Sequence, residues 1–458
     1  MEFFKKYKIE TLVFTIAVIA RIIFFLVCLN VNGGNIENTV HGQDGYFEIS
    51  RNLFLGNGFS INPEPPFNPY SYGVPGYPYF LFLLLFITGN YLAVGMIQLI
   101  LGALIPVMGM YIARLLLPSH NRIPLFVGLL LALSPYQILF SFIFYTETLF
   151  EILFGLFLIL FLKFLKEPLM RYAILAGIFL GLSTLTKATV QYVFLIAIVF
   201  SLWHFRHEIK KEIFLKLVCF FIVFSAILFP WLYRNYITFN SFSLSTQVPF
   251  NIYVGLLPSV LAIENETSFA FEHKKILDAN PLNLEDADSL SLSKTYADKA
   301  VGEILKYPVS LVKLSLISFV TFFTHDGILT FLQATGIKPE VYLSKPALVL
   351  LVDSPGEFLK TMLPYLKTSM VFVLFARLFW IFLTILFFVG LYNLWRTRSF
   401  SPELIFSALI VFYFMFTTMI NGLSVNARFR MPVEPVIFSV AFVAFSFYYN
   451  RIKRKLIS

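Results

Sequence analysis

The chain has 458 residues, of which 58% are hydrophobic and only 13% charged, with a mean hydropathy of +0.78. A soluble globular domain carries roughly 25% charged residues, so the composition excludes one and reads as a polytopic membrane protein. The net charge of +9 does not point to nucleic acid, because the basic residues cluster in short hydrophilic turns between apolar spans, where the positive-inside rule puts them on the cytoplasmic side.

Apolar runs of about 17–25 residues are long enough to cross a hydrocarbon core of about 30 Å. Such runs predict helices over 11–29, 91–117, 123–141, 143–163, 171–186, 188–205, 212–232, 308–325, 370–395, 402–420 and 431–449. The expectation is an all-α bundle of about 10–12 transmembrane helices. It forms a single integral-membrane domain over 1–458, with a first outer loop at 30–90, a long outer loop at 233–307 and C-terminal helices at 368–458. The first run follows MEFFKKYKIE, is not followed by a small-residue cleavage site and contains Arg21. It reads as a retained helix rather than a signal peptide. Cys28 and Cys219 both sit inside apolar runs, and they offer neither a disulfide framework nor a metal-ligand spacing. Residues 77–89 are apolar but short, bounded by Pro75, Pro78 and Gly89, which suits a re-entrant or interfacial helix.

Lys5, Lys6 and Lys8 place the N-terminus inside, and the basic turns after 114, 163, 206, 396 and 451 mark further inside faces. Residues 30–90, the junctions near 142–147 and 187, the loop 233–307 and residues 421–430 therefore face outward. The polar stretch 264–306 is expected to pack as short helices over that face. For 308–325 and the apolar ALVLLV at 347–352 two arrangements stay open, a hairpin or a pair lying against the outer leaflet.

Polar groups at a membrane boundary are where function is sought, since apolar residues suffice for packing. Asp44 comes first, in HGQDGYFEISRNLFLGNGFS. Tyr46, Ile49, Leu53 and Phe54 follow it with helical spacing, so Asp44 stands near a helix N-terminus, where a carboxylate can serve merely as a cap. Glu147, in FSFIFYTETLFEILFG, is an acid at an outer helix end. It is either a substrate-binding or cation-holding group or a carboxylate favoured by the helix dipole. Lys187, Arg234, Arg428 and Arg430 are four outward cations that break the inside bias. They suit an anionic partner such as a lipid-linked phosphate, or ordinary headgroups. His41 and His325 are weak metal-ligand candidates, and His325–Asp326 reads more simply as a surface pair.

Four stretches together resemble the GT-C membrane glycosyltransferases, in particular the protein O-mannosyltransferases and the aminoarabinose transferases that modify lipid A. QDGYFEISRNLFLGNGFS leading into YGVPGYPYFLFLLLFI is similar to the family's first outer loop and its proline-rich re-entry. TETLFEILFG is similar to the acidic start of the fourth helix, FPWLYRNYITFNSFSLSTQVPFNIYVG to the exit into the long outer loop, and NARFRMPVEPVIF to the start of the final helix. The family often has a second acid directly after the loop aspartate, whereas Gly45 stands there in this chain.

The resemblance implies a GT-C-like fold and a polyprenyl-phosphate sugar donor. It makes Asp44 the general base toward an acceptor hydroxyl, with inversion at the anomeric carbon. Glu147, Lys187, Arg234, Arg428, Arg430 and Tyr46 are the substrate-binding candidates. The acceptor could be a protein, a lipid or a glycan, and membrane lipids are the remaining partners. No nucleotide is needed, while Asp44 with Glu147 could share a divalent cation through hard oxygen ligation. The compact chain favours a bacterial inner membrane over the endoplasmic reticulum, with the site facing the periplasm or cell exterior. The rival classes are a polymerase or ligase acting on polyprenyl-linked glycans, and a lipid or glycan transporter. A transporter's charges usually line the bundle centre, often between inverted repeats, whereas here they gather at one face and no repeat is evident.

Overall fold

A computed structural model describes residues 7–207, 211–279, 289–337, 350–351, 354–364 and 368–457, without the side chains of 289, 291 and 446–457. All regular elements among the described residues are helical. Lys8–Val31, Tyr91–Leu116, Glu147–Lys166, Lys211–Phe239, Met370–Arg396 and Pro402–Ser424 are each long and apolar enough to cross a membrane. Gly76–Thr88, Ile123–Leu133, Met170–Thr186, Ala188–His204 and Met431–Phe445 are shorter apolar helices beside them. The protein is thus an integral, multi-pass, all-α membrane protein.

In lipid, apolar side chains gain little by leaving the solvent, so helix association rests on packing and on polar contacts. The Glu147–Lys166 helix shows the packing. Phe150, Phe154, Phe157, Phe161 and Phe164 recur at spacings of four and three, which sets them on one face, and each is at most 1% exposed. Phe161 meets Phe406 at 4.4 Å between ring centroids, and Phe154 meets Phe414 edge-on at 5.2 Å. Such pairs contribute about 0.5–1.5 kcal/mol each beyond simple burial. This phenylalanine stripe locks the Glu147–Lys166 helix against Pro402–Thr418 and so fixes where Glu147, at its first turn, comes to rest.

Three expected spans change in the structure. The run 123–141 is not one helix. Ile123–Leu133 stops at Ser134, and Pro135–Leu139 restarts after it, because Pro135 has no N–H to continue the ladder and holds Ser134 extended. The break releases backbone carbonyls, and Arg21 uses them. Its guanidinium, 0% exposed, donates to Ala132 O at 3.3 Å, Gln137 O at 3.4 Å and Ala17 O of its own helix at 3.1 Å. An arginine inside a transmembrane helix is tolerated where buried oxygens receive it. The run 188–205 opens with a 3-10 turn, Ala188–Val190, before Val193–His204, and 431–449 opens with Met431–Val433 before Glu434–Ile457.

Gly76–Thr88 has 13 residues, about 20 Å of helix, which is short of the hydrocarbon thickness. Pro308–Thr324 joins Leu292–Ile304 across a bend of 106°, so the two do not form one straight span. Of the ALVLLV stretch, 347–349 and 352 lie outside the described residues. The former loop 233–307 is helical over much of its length: Lys211–Phe239 runs into it, and Gln247–Asn251, Ile252–Leu256, Leu257–Glu264, Phe269–Ala279 and Ser289–Ile304 follow.

Candidate active site

The first loop turns into the helix Tyr46–Leu55 through Gly45, which is its N-cap, has φ 76 and makes no side-chain cap bond. Asp44 is therefore not a helix cap. A side chain at position 45 would be strained twice over: the backbone is left-handed, and a Cβ there would lie 2.3 Å from Ile61 Cδ1. A second acid after Asp44 would have to adopt this left-handed backbone and displace the Ile61 side-chain tip, a cost that glycine avoids. Gly45→Ala is expected to destabilise the protein by more than about 1 kcal/mol, read as a lower Tm in detergent, and an unchanged Tm would contradict the turn as described.

Freed from capping, Asp44 meets Arg428. Arg428 lies in the 3-10 turn Ala427–Phe429, whose N-cap Asn426 accepts from the Arg428 backbone N–H. Its Nη2 donates to Asp44 Oδ2 at 2.6 Å, and its Nε donates to Glu147 Oε1. Lys187, at the C-terminal end of Met170–Thr186, donates Nζ to the same Glu147 oxygen at 2.9 Å. Four elements far apart in sequence thus bring two cations and two carboxylates into one network. Glu147 is its buried anchor at 2% exposure, while the Asp44 side chain is 36% exposed. Burial opposes the Arg428 charge, but Glu147 and Asp44 outweigh it and hold the group far above its ordinary pKa. The Tyr145 ring lies 4.5 Å from the guanidinium carbon, a cation–π contact, and Tyr145 Oη accepts from the Gln43 backbone N–H at 3.0 Å.

The network opens on a cavity of about 490 Å³, a size usual for small-molecule sites, with Asp44, Tyr46, Lys187 and Arg428 in its wall. Arg428 Nη1 makes no hydrogen bond among the described residues, so this planar fork still has donors to offer. Burial, then the Asp44 charge, pushes the Tyr46 phenol well above its ordinary value, and burial pushes Tyr72 to about 12. Both tyrosines remain neutral hydroxyls at physiological pH.

Glu147 contributes from behind the wall, as the common acceptor for Arg428 and Lys187. Glu147→Gln removes the charge between two cations. It is expected to destabilise the protein by about 3 kcal/mol, the order found on breaking a buried pair, and the fall in Tm measures it.

Two of the expected cations go elsewhere. Arg430, expected beside Arg428 as an outward, substrate-binding cation, is instead 0% exposed. It donates to Phe322 O at 2.6 Å and His325 O at 2.8 Å, lies 3.5 Å from Glu434 Oε1, and stacks on Trp380. The 3-10 backbone between 427 and 433 turns residues two apart to different sides, so only Arg428 reaches the cavity. Arg234 lies against Trp231 and Phe239 and donates to Tyr70 O at 3.3 Å and Asn235 Oδ1 at 2.9 Å, outside the cavity wall.

Nor do the histidines form a metal centre. His41 Nε2 pairs with Glu48 at 2.8 Å. His325 Nδ1 accepts from the backbone N–H groups of Gly327 and Ala427, each at 3.2 Å. Burial and the nearby Arg377 lower its pKa to about 4. Asp326 pairs with Arg377 at 2.6 Å rather than with His325. No cluster of three metal-ligating side chains occurs among the described residues. Glu147 Oε1 is engaged by two cations and Asp44 Oδ2 by one.

Residues 69–233 match the family model described as dolichyl-phosphate-mannose-protein mannosyltransferase. That description agrees with the protein O-mannosyltransferase side of the resemblance. The matched span includes Glu147 and Lys187, whereas Asp44 and Arg428 lie on either side of it. Among solved structures, the chain is similar to the archaeal oligosaccharyltransferase AglB from Archaeoglobus fulgidus, in complex with an inhibitory peptide and a dolichol-phosphate. That match has 17% identity and a TM-score of 0.49, covering 99% of this chain and 52% of that one. It is also similar to ArnT from Cupriavidus metallidurans bound to undecaprenyl phosphate, at 13% identity and a TM-score of 0.33, covering 94% and 77%. The chain thus spans about half the length of the oligosaccharyltransferase. Comparison with curated proteins finds no match.

Four neutral polar residues of the cavity wall, Tyr72, Gln247, Asn251 and Asn421, carry no chemical signal of a site in the sequence. Tyr72, Gln247 and Asn251 stand inside stretches that carry the resemblance, but as neutral side chains they violate no expectation for a membrane boundary. Asn421, next to Gly422 at a helix end, had only its position as a signal.

Proposed function

We propose that the protein is a glycosyltransferase that moves a sugar from a polyprenyl-phosphate donor to an acceptor hydroxyl, with Asp44 as general base and inversion at the anomeric carbon. The observation that carries this reading is the Arg428 fork, which holds Asp44 on one nitrogen and Glu147 on another at the edge of the cavity. Base and cation are thereby kept within a few ångströms, as a displacement at a glycosyl phosphate requires. The family description supports a lipid-phosphate sugar as donor.

In this mechanism the donor phosphate sits on Lys187 and the unused donors of Arg428. The acceptor oxygen attacks the anomeric carbon from the side opposite the phosphate, and its proton passes to Asp44. The bond from the anomeric carbon to the phosphate oxygen breaks with its electron pair going to that oxygen, and the polyprenyl phosphate departs. Lys187 and Arg428 stabilise the charge that collects on it, the kind of fixed electrostatic assistance that often contributes most to catalysis. Glu147 keeps both cations aimed and lowers the entropy they would otherwise lose. Tyr46, neutral beside Asp44, orients the bound sugar or acceptor. Facing the periplasm or cell exterior of a bacterial inner membrane, such a site would meet both a lipid-borne donor and a membrane-proximal acceptor.

The test is donor turnover. Purified protein in detergent or nanodiscs, given a radiolabelled polyprenyl-phosphate sugar and a membrane extract as acceptor source, should release polyprenyl phosphate in step with label appearing on the acceptor. Transfer of whole glycan chains from a polyprenyl diphosphate instead would favour a polymerase or ligase, and movement of intact donor across a vesicle membrane would favour a transporter.

A further inference from the structure

The cavity has two chemically different walls. Its charged residues, Asp44, Lys187 and Arg428, belong to the network already described, and its other polar lining residues are neutral. Tyr72 links the two walls. It is close enough to Asp44 and Arg428 to feel both charges, and its phenol neighbours the Gln247 side chain. Gln247 and Asn251 are the first and last residues of one short helix, four apart and so on the same face. Asn251 Nδ2 donates to Asn421 Oδ1 at 3.1 Å, and Asn421 Nδ2 donates to Thr418 O at 3.1 Å. A row of neutral amides and hydroxyls therefore runs away from the phosphate-binding cations into the cavity.

The backbone that presents this row is irregular on both sides. Asn251 is followed directly by a π-helical turn, Ile252–Leu256, a feature often found at functional sites. Asn421 precedes Gly422, whose φ of 56 and ψ of −128 interrupt its 3-10 segment. A Cβ on Gly422 would lie 2.1 Å from Ser259 Oγ. That hydroxyl donates to Gly255 O at 2.6 Å and accepts from the Leu423 N–H at 3.0 Å. The π-turn and the interrupted turn are thus clasped together, which sets the two asparagines, 170 residues apart, side by side.

We infer that Gln247, Asn251 and Asn421 form the subsite that reads the transferred sugar, and that this sugar is a neutral polyhydroxyl group rather than an amino sugar or a uronic acid. The inference rests on the donor reading above. Amides both donate and accept, so a pair can engage vicinal hydroxyls. A cationic sugar would call for a carboxylate on this wall and an anionic one for a second cation, and the wall has neither.

The experiment measures displacement of a fluorescent polyprenyl phosphate from the full chain in nanodiscs. Four probes compete: farnesyl phosphate alone, and farnesyl phosphate bearing mannose, 4-amino-4-deoxyarabinose or glucuronic acid. The neutral mannosyl probe should bind about tenfold more tightly than the sugar-free probe, the order expected of one or two net hydrogen bonds. The charged-sugar probes should gain nothing. Asn421→Ala and Asn251→Ala should each remove most of the tenfold gain while leaving farnesyl phosphate binding within about twofold, which also reports that these variants are folded. Asn421→Asp should shift preference toward the amino sugar. If farnesyl phosphate binds and depends on Arg428, yet the sugar adds no affinity or the asparagine variants leave the gain intact, this inference is overturned and the donor reading stands. If farnesyl phosphate itself fails to bind, or binds equally well to Arg428→Ala, both are overturned.

Discussion

Arg428→Ala should reduce donor turnover by at least about a thousandfold, the upper end of what removing a single donor to a developing oxyanion does. The large value follows from one side chain doing three things. It offers the phosphate its unused donors, it holds Asp44 through Nη2, and it shares Glu147 with Lys187 through Nε. Truncation leaves Glu147 buried with one cation instead of two, so a stability loss of about 3–5 kcal/mol is also expected. Arg428→Lys separates the effects. A lysine can pair with Glu147 and restore much of the Tm, but a single ammonium cannot span Glu147 and Asp44 as the planar fork does. Turnover should therefore stay low in the lysine variant while stability recovers. Donor affinity and Tm, measured side by side, decide it, and a lysine variant with full turnover would show that the fork geometry is unimportant.

Asp44→Asn should lower kcat by about 10²–10⁴-fold, the usual contribution of a positioned general base, while donor affinity changes by less than about threefold. Asparagine keeps the shape of the side chain and still has an oxygen to accept from Arg428 Nη2, so the cation stays in place. What it cannot do is take a proton from the acceptor. Asp44 is more exposed than its partner Glu147, so loss of its charge should leave Tm almost unchanged. The contrast with Glu147→Gln, which mainly costs stability, distinguishes the two carboxylates. Comparable turnover in Asp44→Asn and the native protein would remove Asp44 from the mechanism, and a large fall in donor affinity would reassign it to holding Arg428.

Part of this site was legible residue by residue. Asp44 sat in a loop beyond a greasy helix, and Lys187 and Arg428 were cations where the positive-inside rule disfavours them. Each is an anomaly that a single position can display. Their partners could not be read the same way. Asp44 and Arg428 are 384 positions apart, and Arg428 and Glu147 are 281 apart, distances over which no local pattern constrains a pairing. Arg430 presented the same anomaly as Arg428 and yet went into the bundle, because a 3-10 turn separates two neighbours that a one-dimensional reading groups together. Glu147 looked like a cavity residue or a dipole-favoured helix start and became the acceptor behind the wall.

The sequence by itself determined the membrane class, most of the apolar spans and the residues whose charge demanded a partner. Those properties follow from hydropathy and from the free energy of leaving a charge in or near lipid, which each residue carries wherever the chain takes it. Tertiary structure alone decided which cations face the cavity, which carbonyls at a broken helix receive Arg21, and that Gln247, Asn251 and Asn421 line the wall beyond Tyr72. Those outcomes depend on where packed helices place their ends, a sum of many weak contacts over the whole bundle.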